Sequence, residues 1–138
     1  MNDTSKATVR RYLDGFVSGG DLAVAEELVD DSVVFTSPYS PDPVHGRDGF
    51  VGMILGLRAA FPDLAIKEHA LVAEGSLVAA RWTASGTHTG VDFNGAPASG
   101  RRFEITGMSF YEVREGRIVA GWVNDDTLGM VTQLGLVS

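Results

Sequence analysis

The chain has 138 residues, 44% of them hydrophobic, with a formal net charge of -7, which is material for one domain over 1–138 with a sizeable core and argues against nucleic acid as a partner. It has no cysteine, which removes disulfides, thiolate metal sites and a cysteine nucleophile together. His45, His69 and His88 lie far apart with no carboxylate at ligand spacing, so no metal is expected; residues 1–6 form no apolar leader and no run reaches membrane-spanning length, so a soluble cytoplasmic protein without membrane contact is expected.

In chain order, Thr4 or Ser5 can cap a first helix whose apolar residues Val9, Tyr12, Leu13, Phe16 and Val17 recur at helical spacing up to Ser18-Gly19-Gly20. Asp21 caps a short second helix with Leu22, Ala25, Leu28 and Val29 on one side. Residues 32–36 read as a strand and 37–46, with three prolines, as a loop. Arg47-Asp48 opens a third helix over 49–61, striped by Phe50, Met53, Ile54, Leu57 and Phe61 and stopped by Pro62-Asp63. From Leu64 the period becomes that of strands, over 64–72, 77–85, 103–113 and 117–124, followed by a short helix over 127–133. The connection 86–100 is long for a hairpin and carries His88; loops of that length are often functional, although a loop histidine more often stabilises a turn. Helices first and an antiparallel sheet after indicate α+β, with helices on one side of the sheet.

At Val113-Arg114-Glu115-Gly116-Arg117 a two-residue type I′ turn would force Glu115 to positive φ, whereas a three-residue loop with Gly116 in the left-handed position strains nothing. The three-residue loop pairs Val113 with Arg117 and sets Glu112 opposite Ile118, Phe110 opposite Ala120, Met108 opposite Trp122 and Glu104 near Asp126. One face then reads Met108, Phe110, Glu112, Trp122, Asp126, and the other, with Ile105, Ser109, Tyr111, Val119 and Val123, is also fairly apolar. Helices can cover only one of the two. A second copy is the natural cover for the other, so a homodimer is expected.

Residues 118–123 offer almost nothing polar before the acids. An acid where an apolar strand stops is a candidate proton carrier, because desolvation there favours its neutral form, and Asp126 is the candidate. The competing reading is that Asp125 or Asp126 caps the helix near Leu128. Glu112, on the same face, either shares the site as a second carboxylate or neutralises Arg81 or Arg114. No phosphate loop, dinucleotide fingerprint or Gly-x-Ser-x-Gly elbow is present, so neither a flavin, a nicotinamide nor a serine-hydrolase reading has support.

The chain resembles the SnoaL-like polyketide cyclases of the nuclear transport factor 2-like superfamily. The resemblance rests on Ala60-Phe61-Pro62-Asp63, on Arg81-Trp82-Thr83-Ala84-Ser85-Gly86-Thr87-His88-Thr89-Gly90 with Gly95 and Ser99-Gly100-Arg101, on Glu115-Gly116-Arg117-Ile118, and on Trp122 followed by Asp126 and Gln133-Leu134-Gly135. It implies a cone-shaped curved antiparallel sheet packed with three N-terminal helices, the nuclear transport factor 2-like or cystatin-like α+β fold. It also implies a cofactor-independent enzyme of antibiotic biosynthesis acting on a flat, hydrophobic, polyketide-like small molecule by intramolecular aldol-type ring closure. The family's acid/base Asp maps onto Asp126. Where the cyclases tend to carry His, four residues before the turn glycine, this chain has Glu112, which leaves Glu112, His88 or Tyr39 as the hydrogen-bond partner. Tyr12, Phe16, Phe35, Tyr39, Phe50, Met53, Leu57, Trp82, Met108, Phe110 and Trp122 are the candidates to line a substrate cavity, core packing being the alternative for each. Other relatives imply two alternatives: a hydroxylase of an aromatic polyketide, or a non-catalytic ligand-binding or association domain.

Overall fold

The structure, a computed structural model, describes residues 2–137. Helix α1 (Asn2–Arg11) runs without a break into a π-helical segment, Tyr12–Ser18. Val9, Tyr12, Leu13, Phe16 and Val17 are all buried, so the apolar stripe read from the sequence is the packing face. The helix starts at Asn2, ahead of the expected caps at Thr4 or Ser5. Its π widening carries no sequence signal, and Arg58 Nη1 donates to the orphan carbonyls of Val17 at 2.9 Å and Ser18 at 2.6 Å where it ends. Asp21 caps α2 (Leu22–Leu28) by accepting from the Ala23 amide at 3.0 Å.

There follow β1 (Val29–Thr36), a two-residue β2 (Val44–His45) within the expected loop, and α3 (Arg47–Ala60). The second half is β3 (Ala65–Glu74), β4 (Leu77–Thr87), β5 (Arg102–Arg114), β6 (Arg117–Asp125) and α4 (Thr127–Gln133). The six strands form one curved, unclosed sheet in the order β2-β1-β6-β5-β4-β3, so the fold is α+β. Every pairing is antiparallel except β1 on β6. The core lies between the helices and one face of the sheet, with Tyr12, Phe16, Phe50, Phe61 and Phe103 among its buried side chains. No described helix is long and apolar enough to cross a membrane.

The β5–β6 register corrects the expected one. Arg114 pairs with Arg117, so the turn is the two-residue Glu115-Gly116, with φ of 51° and 76°. Glu115 does accept the left-handed conformation that a three-residue loop would have spared it. A bulge then skips Val119, and Phe110 faces Trp122 while Met108 faces Asn124. Turn and bulge together shift the pairing by an even number, so Met108, Phe110, Glu112, Trp122 and Asp126 still share a face. That face points away from the helices: Met108 is 63% exposed, Phe110 53% and Trp122 42%. The inward set on β5 is Phe103, Ile105, Gly107, Ser109, Tyr111 and Val113.

The glycine-rich connection between β4 and β5 is pinned to the end of α3. Gly90 and Val91 amides donate to the carbonyls of Ala60 and Ala59 at 3.1 and 3.0 Å. A Cβ on Gly90 would sit 1.8 Å from the Ala59 oxygen, so only glycine lets the backbone come this close. Phe93 folds in against Phe61 and His88.

Candidate functional site

Strand β6 ends on two acids, and strand alternation sends them to opposite sides. Asp126 turns outward and caps α4, its Oδ1 accepting from the Gly129 amide at 2.9 Å, with the side chain exposed. Asp125, paired with Gly107, turns inward. Its Oδ2 accepts from the Tyr39 hydroxyl at 2.7 Å and its Oδ1 from the Thr127 hydroxyl at 2.6 Å. Tyr39 stands on the loop after β1, its own amide held by Ser37 Oγ at 3.2 Å. One donor on each carboxylate oxygen fixes the rotamer and leaves lone pairs free to accept from a ligand.

Behind this pair lies a cavity of about 80 Å3. Its walls come from Tyr12, Leu13 and Val17 on the first helix, Met53, Ile54 and Leu57 on α3, Trp82 and Ala84 on β4, and Phe103, Ile105 and Tyr111 on β5. Asp125 is the one carboxylate among the described lining residues. All three tyrosines of the chain, Tyr12, Tyr39 and Tyr111, are here. Burial is the main reason that each phenol resists ionisation. It pushes Tyr111 up to about 12 against the opposing pull of a Ser109 hydrogen bond. It raises Tyr39 further, helped by the neighbouring Asp125 charge, and raises Tyr12 with help from Tyr111. At working pH all three are neutral donors.

Of the cavity residues expected from sequence, Tyr12, Phe35, Tyr39, Met53, Leu57 and Trp82 line it. Phe16 and Phe50 pack in the core behind it. Met108, Phe110 and Trp122 do not reach it, because they lie on the outer face of the sheet. The three expected catalytic side chains are also elsewhere. Asp126 is a helix cap, and Glu112 is on the outer face, accepting from Arg114 Nε at 2.5 Å. His88 is buried with its Nε2 bonded to the Val91 carbonyl oxygen at 2.9 Å, so it closes its own loop. Sequence reasoning missed Asp125 and Tyr111. A usable signal was present: the outward set of β5 carries Arg102, Glu104, Glu112 and Arg114, whereas the inward set carries no charge.

A family model described as SnoaL-like polyketide cyclase matches residues 7–134. Among solved structures, wild-type IdmH of Streptomyces antibioticus, provisionally named a polyketide cyclase, is 34% identical, with 95% of this chain and 98% of that one covered and a TM-score of 0.83. A protein of Jannaschia, provisionally named a SnoaL-like polyketide cyclase, is 21% identical over 99% of this chain and 95% of its own, with a TM-score of 0.89. AclR of Streptomyces galilaeus, provisionally named a hydroxylase, is 22% identical over 100% of this chain and 89% of its own, with a TM-score of 0.86; at such identities these two share the fold alone. No curated protein sequence matches the chain. The family match over most of the chain and the IdmH likeness agree with the cavity-bearing fold: this chain belongs to the SnoaL-like polyketide cyclase family.

Proposed function

We propose that this protein closes a ring in a flat, carbonyl-rich, polyketide-like molecule by an intramolecular aldol reaction, with Asp125 as the general acid and base. The observation that carries the reading is a single carboxylate, held by Tyr39 and Thr127, on the wall of an otherwise apolar cavity. A carbon between two carbonyls gives its proton to Asp125. The enolate carbon then attacks a second carbonyl carbon of the same molecule, the carbon–carbon bond forms, and the resulting alkoxide takes the proton back. Nothing is gained or lost overall, so the reaction is an isomerisation. The apolar walls supply the folding of the substrate into a reactive conformer.

The family's Trp-x-x-x-Asp spacing selects Asp126, but the geometry favours its neighbour, because the last strand residue faces the cavity and the next one caps a helix. A cavity plugged by Phe110 and Trp122 would have favoured a binding module; both lie outside it. Turnover of a linear poly-β-ketone long enough to fold back on itself, by Asp125→Asn and Asp126→Asn, tests the reading: only the first substitution is expected to abolish ring closure, and the reverse outcome rejects Asp125.

The exposed outer face supports a homodimer. Arg81 stands beside Met108 on that face, with no carboxylate within ion-pair distance among the described residues, and Arg81 and Asp126 border the same groove. A two-fold partner is self-complementary there, each copy offering Asp126 to the other's Arg81 while Met108, Phe110 and Trp122 are covered. Light scattering at micromolar concentration is expected to give twice the chain mass.

A further inference from the structure

We propose that Arg58 is a positioning residue for the ligand: it holds shut the end of the cavity between the first helix and β3, and so limits the ring system that this end admits. The inference rests on the cavity being a ligand site, as read above. Its starting point is a junction of three segments fastened by side chains. Among the described residues no main-chain hydrogen bond joins Tyr12–Ser18 to the residues that open β3. Arg58, on α3, spans the gap instead: its Nη1 donates to the carbonyls of Val17 at 2.9 Å, Ser18 at 2.6 Å and Leu64 at 3.2 Å. One nitrogen with two hydrogens thus serves three acceptors, and its positive charge sits at the end of a helix, where it is favoured. Ser18 Oγ adds a second fastening by accepting from the Ile66 amide at 2.8 Å. The chain also makes room for the guanidinium. Gly20 has a φ of 68°, and a Cβ there would come within 2.7 Å of Arg58 Nε.

Each fastened segment carries a wall of the cavity: Val17 on the first helix, Leu57 on α3, and Leu64 and Ile66 on the strand side. Arg58 is not itself a lining residue, so it acts on a ligand only through these four. An apolar cavity of ~150 Å3 holds benzene, and this one measures about 80 Å3. A fused-ring molecule therefore enters only as far as a wall yields. A wall whose backbone is tied by charge-assisted hydrogen bonds from three sides yields little. The clamp thus selects a ligand that puts a single ring, and not a fused pair, into this end.

Acetophenone and 2-acetylnaphthalene carry the same ketone on one ring and on two, and isothermal titration calorimetry reads the binding of each without turnover. The ratio of their dissociation constants cancels a loss common to both, which is all that a purely structural role would give. Wild type is expected to bind acetophenone at least as tightly as 2-acetylnaphthalene, although the second ring has more apolar surface to bury. Arg58→Met keeps an apolar stem but removes all three bonds, and is expected to move the ratio ~10-fold in favour of the naphthyl ketone. Arg58→Lys, whose amine ends one bond short of Nη1, is expected to fall between the two, and it decides by the same criterion should Arg58→Met fail to fold. Val33→Ala, at a buried position off the cavity, is expected to lower stability with the ratio unchanged. A ratio that does not move in the Arg58 variants, or one that moves as far in Val33→Ala, overturns the clamp and leaves the cavity and Asp125 standing. A wild type that already prefers the naphthyl ketone does the same. A wild type that binds neither ketone overturns the clamp together with the cavity's role.

Discussion

The two faces of the β5–β6 hairpin are made from alternate residues of the same two strands, and both are apolar, yet they do different things. The inward face presents Phe103, Ile105, Tyr111, Val123 and Asp125 to the cavity. The outward face presents Met108, Phe110, Trp122 and Asp126 to the surface. The inner face is closed over by helices and contains one charge. The outer one has charges at both ends and an apolar middle, the pattern of a surface that meets another protein. An acid's chemistry here is decided by parity, since one residue along the strand separates a carboxylate held by the half-buried Tyr39 from one that caps a helix.

The largest effect expected from this contrast is at the two acids. Asp125→Asn keeps the shape and the Thr127 and Tyr39 neighbours but cannot take a proton, so ring closure is expected to fall by about 10²- to 10⁴-fold with little change in thermal midpoint. Asp126→Asn leaves a good helix cap in place and is expected to change neither; Asp126→Ala is expected to cost about 0.5–2 kcal/mol of stability in denaturant unfolding, with turnover per folded molecule retained. Next comes Phe103 against Phe110. Phe103 is 2% exposed, and Phe103→Ala is expected to lose about 3–5 kcal/mol. Phe110→Ala should leave the intrinsic stability of one subunit within about 0.5 kcal/mol and shift the monomer–dimer balance by sedimentation instead. Equal stability losses at both positions would mean that the two faces are not distinct.

Most of the fold was legible because its signals are periodic. The stripe from Val9 to Val17 is buried, α3 buries Phe50 and Ile54 of its stripe, and β4 and β5 alternate between more and less buried residues as their spacing implies. The π segment, the two-residue β2 and the parallel β1–β6 pairing were not legible: the first needs no special residue, the second is too short for a pattern, and the third depends on a long-range meeting of strands. At the site the alternation of β5 was read as the structure has it, but on β6 Val119 was put on the inward face although the bulge skips it and Ile118 is buried there, and the cavity was expected beside the outward residues. Trp122, Phe110 and Met108 are the larger apolar groups, and size suggested interior. Hydrophobicity cannot tell a core face from an interface face; the absence of charge on the inward set of β5 could. Tyr39, a single residue in a proline-rich loop, was named as a possible donor, but its carboxylate partner was misplaced by one residue.

A smaller effect separates the faces by titration. Tyr12, Tyr39 and Tyr111 are the only tyrosines; Tyr12 and Tyr111 are buried and Tyr39 is half-buried, and desolvation raises all three pKa values, Tyr111 to about 12. An unfolded phenol titrates near 10. The folded state therefore holds these protons more tightly, its extra stability is complete below pH ~10, and it is lost as pH rises through the folded values. Tyrosinate absorbance at 295 nm is expected to stay flat through pH ~10 and to rise together with loss of the near-ultraviolet circular dichroism. A phenol titrating reversibly near 10 in the folded protein would show that one of the three faces solvent.

The smallest effect is expected at Glu112, the acid that the family pattern places where relatives carry His. It sits on the outer face, paired with an exposed Arg114 two residues away on the same strand. Surface pairs of this kind contribute about 0–1 kcal/mol, because solvent screens them and the long arginine side chain must be ordered to make them. Glu112→Gln keeps the size and a hydrogen-bond acceptor for Arg114, so stability should change by under about 1 kcal/mol and ring closure should not change at all. Glu112→His adds the family's side chain at this position but on the outside of the sheet, so it too should leave turnover unchanged. A rise in turnover with His, or a loss with Gln beyond twofold, would require residue 112 to face the cavity. Strand alternation would then turn Tyr111 and Asp125 outward, so this weakest pair of variants also tests the inward orientation on which the assignment of Asp125 depends.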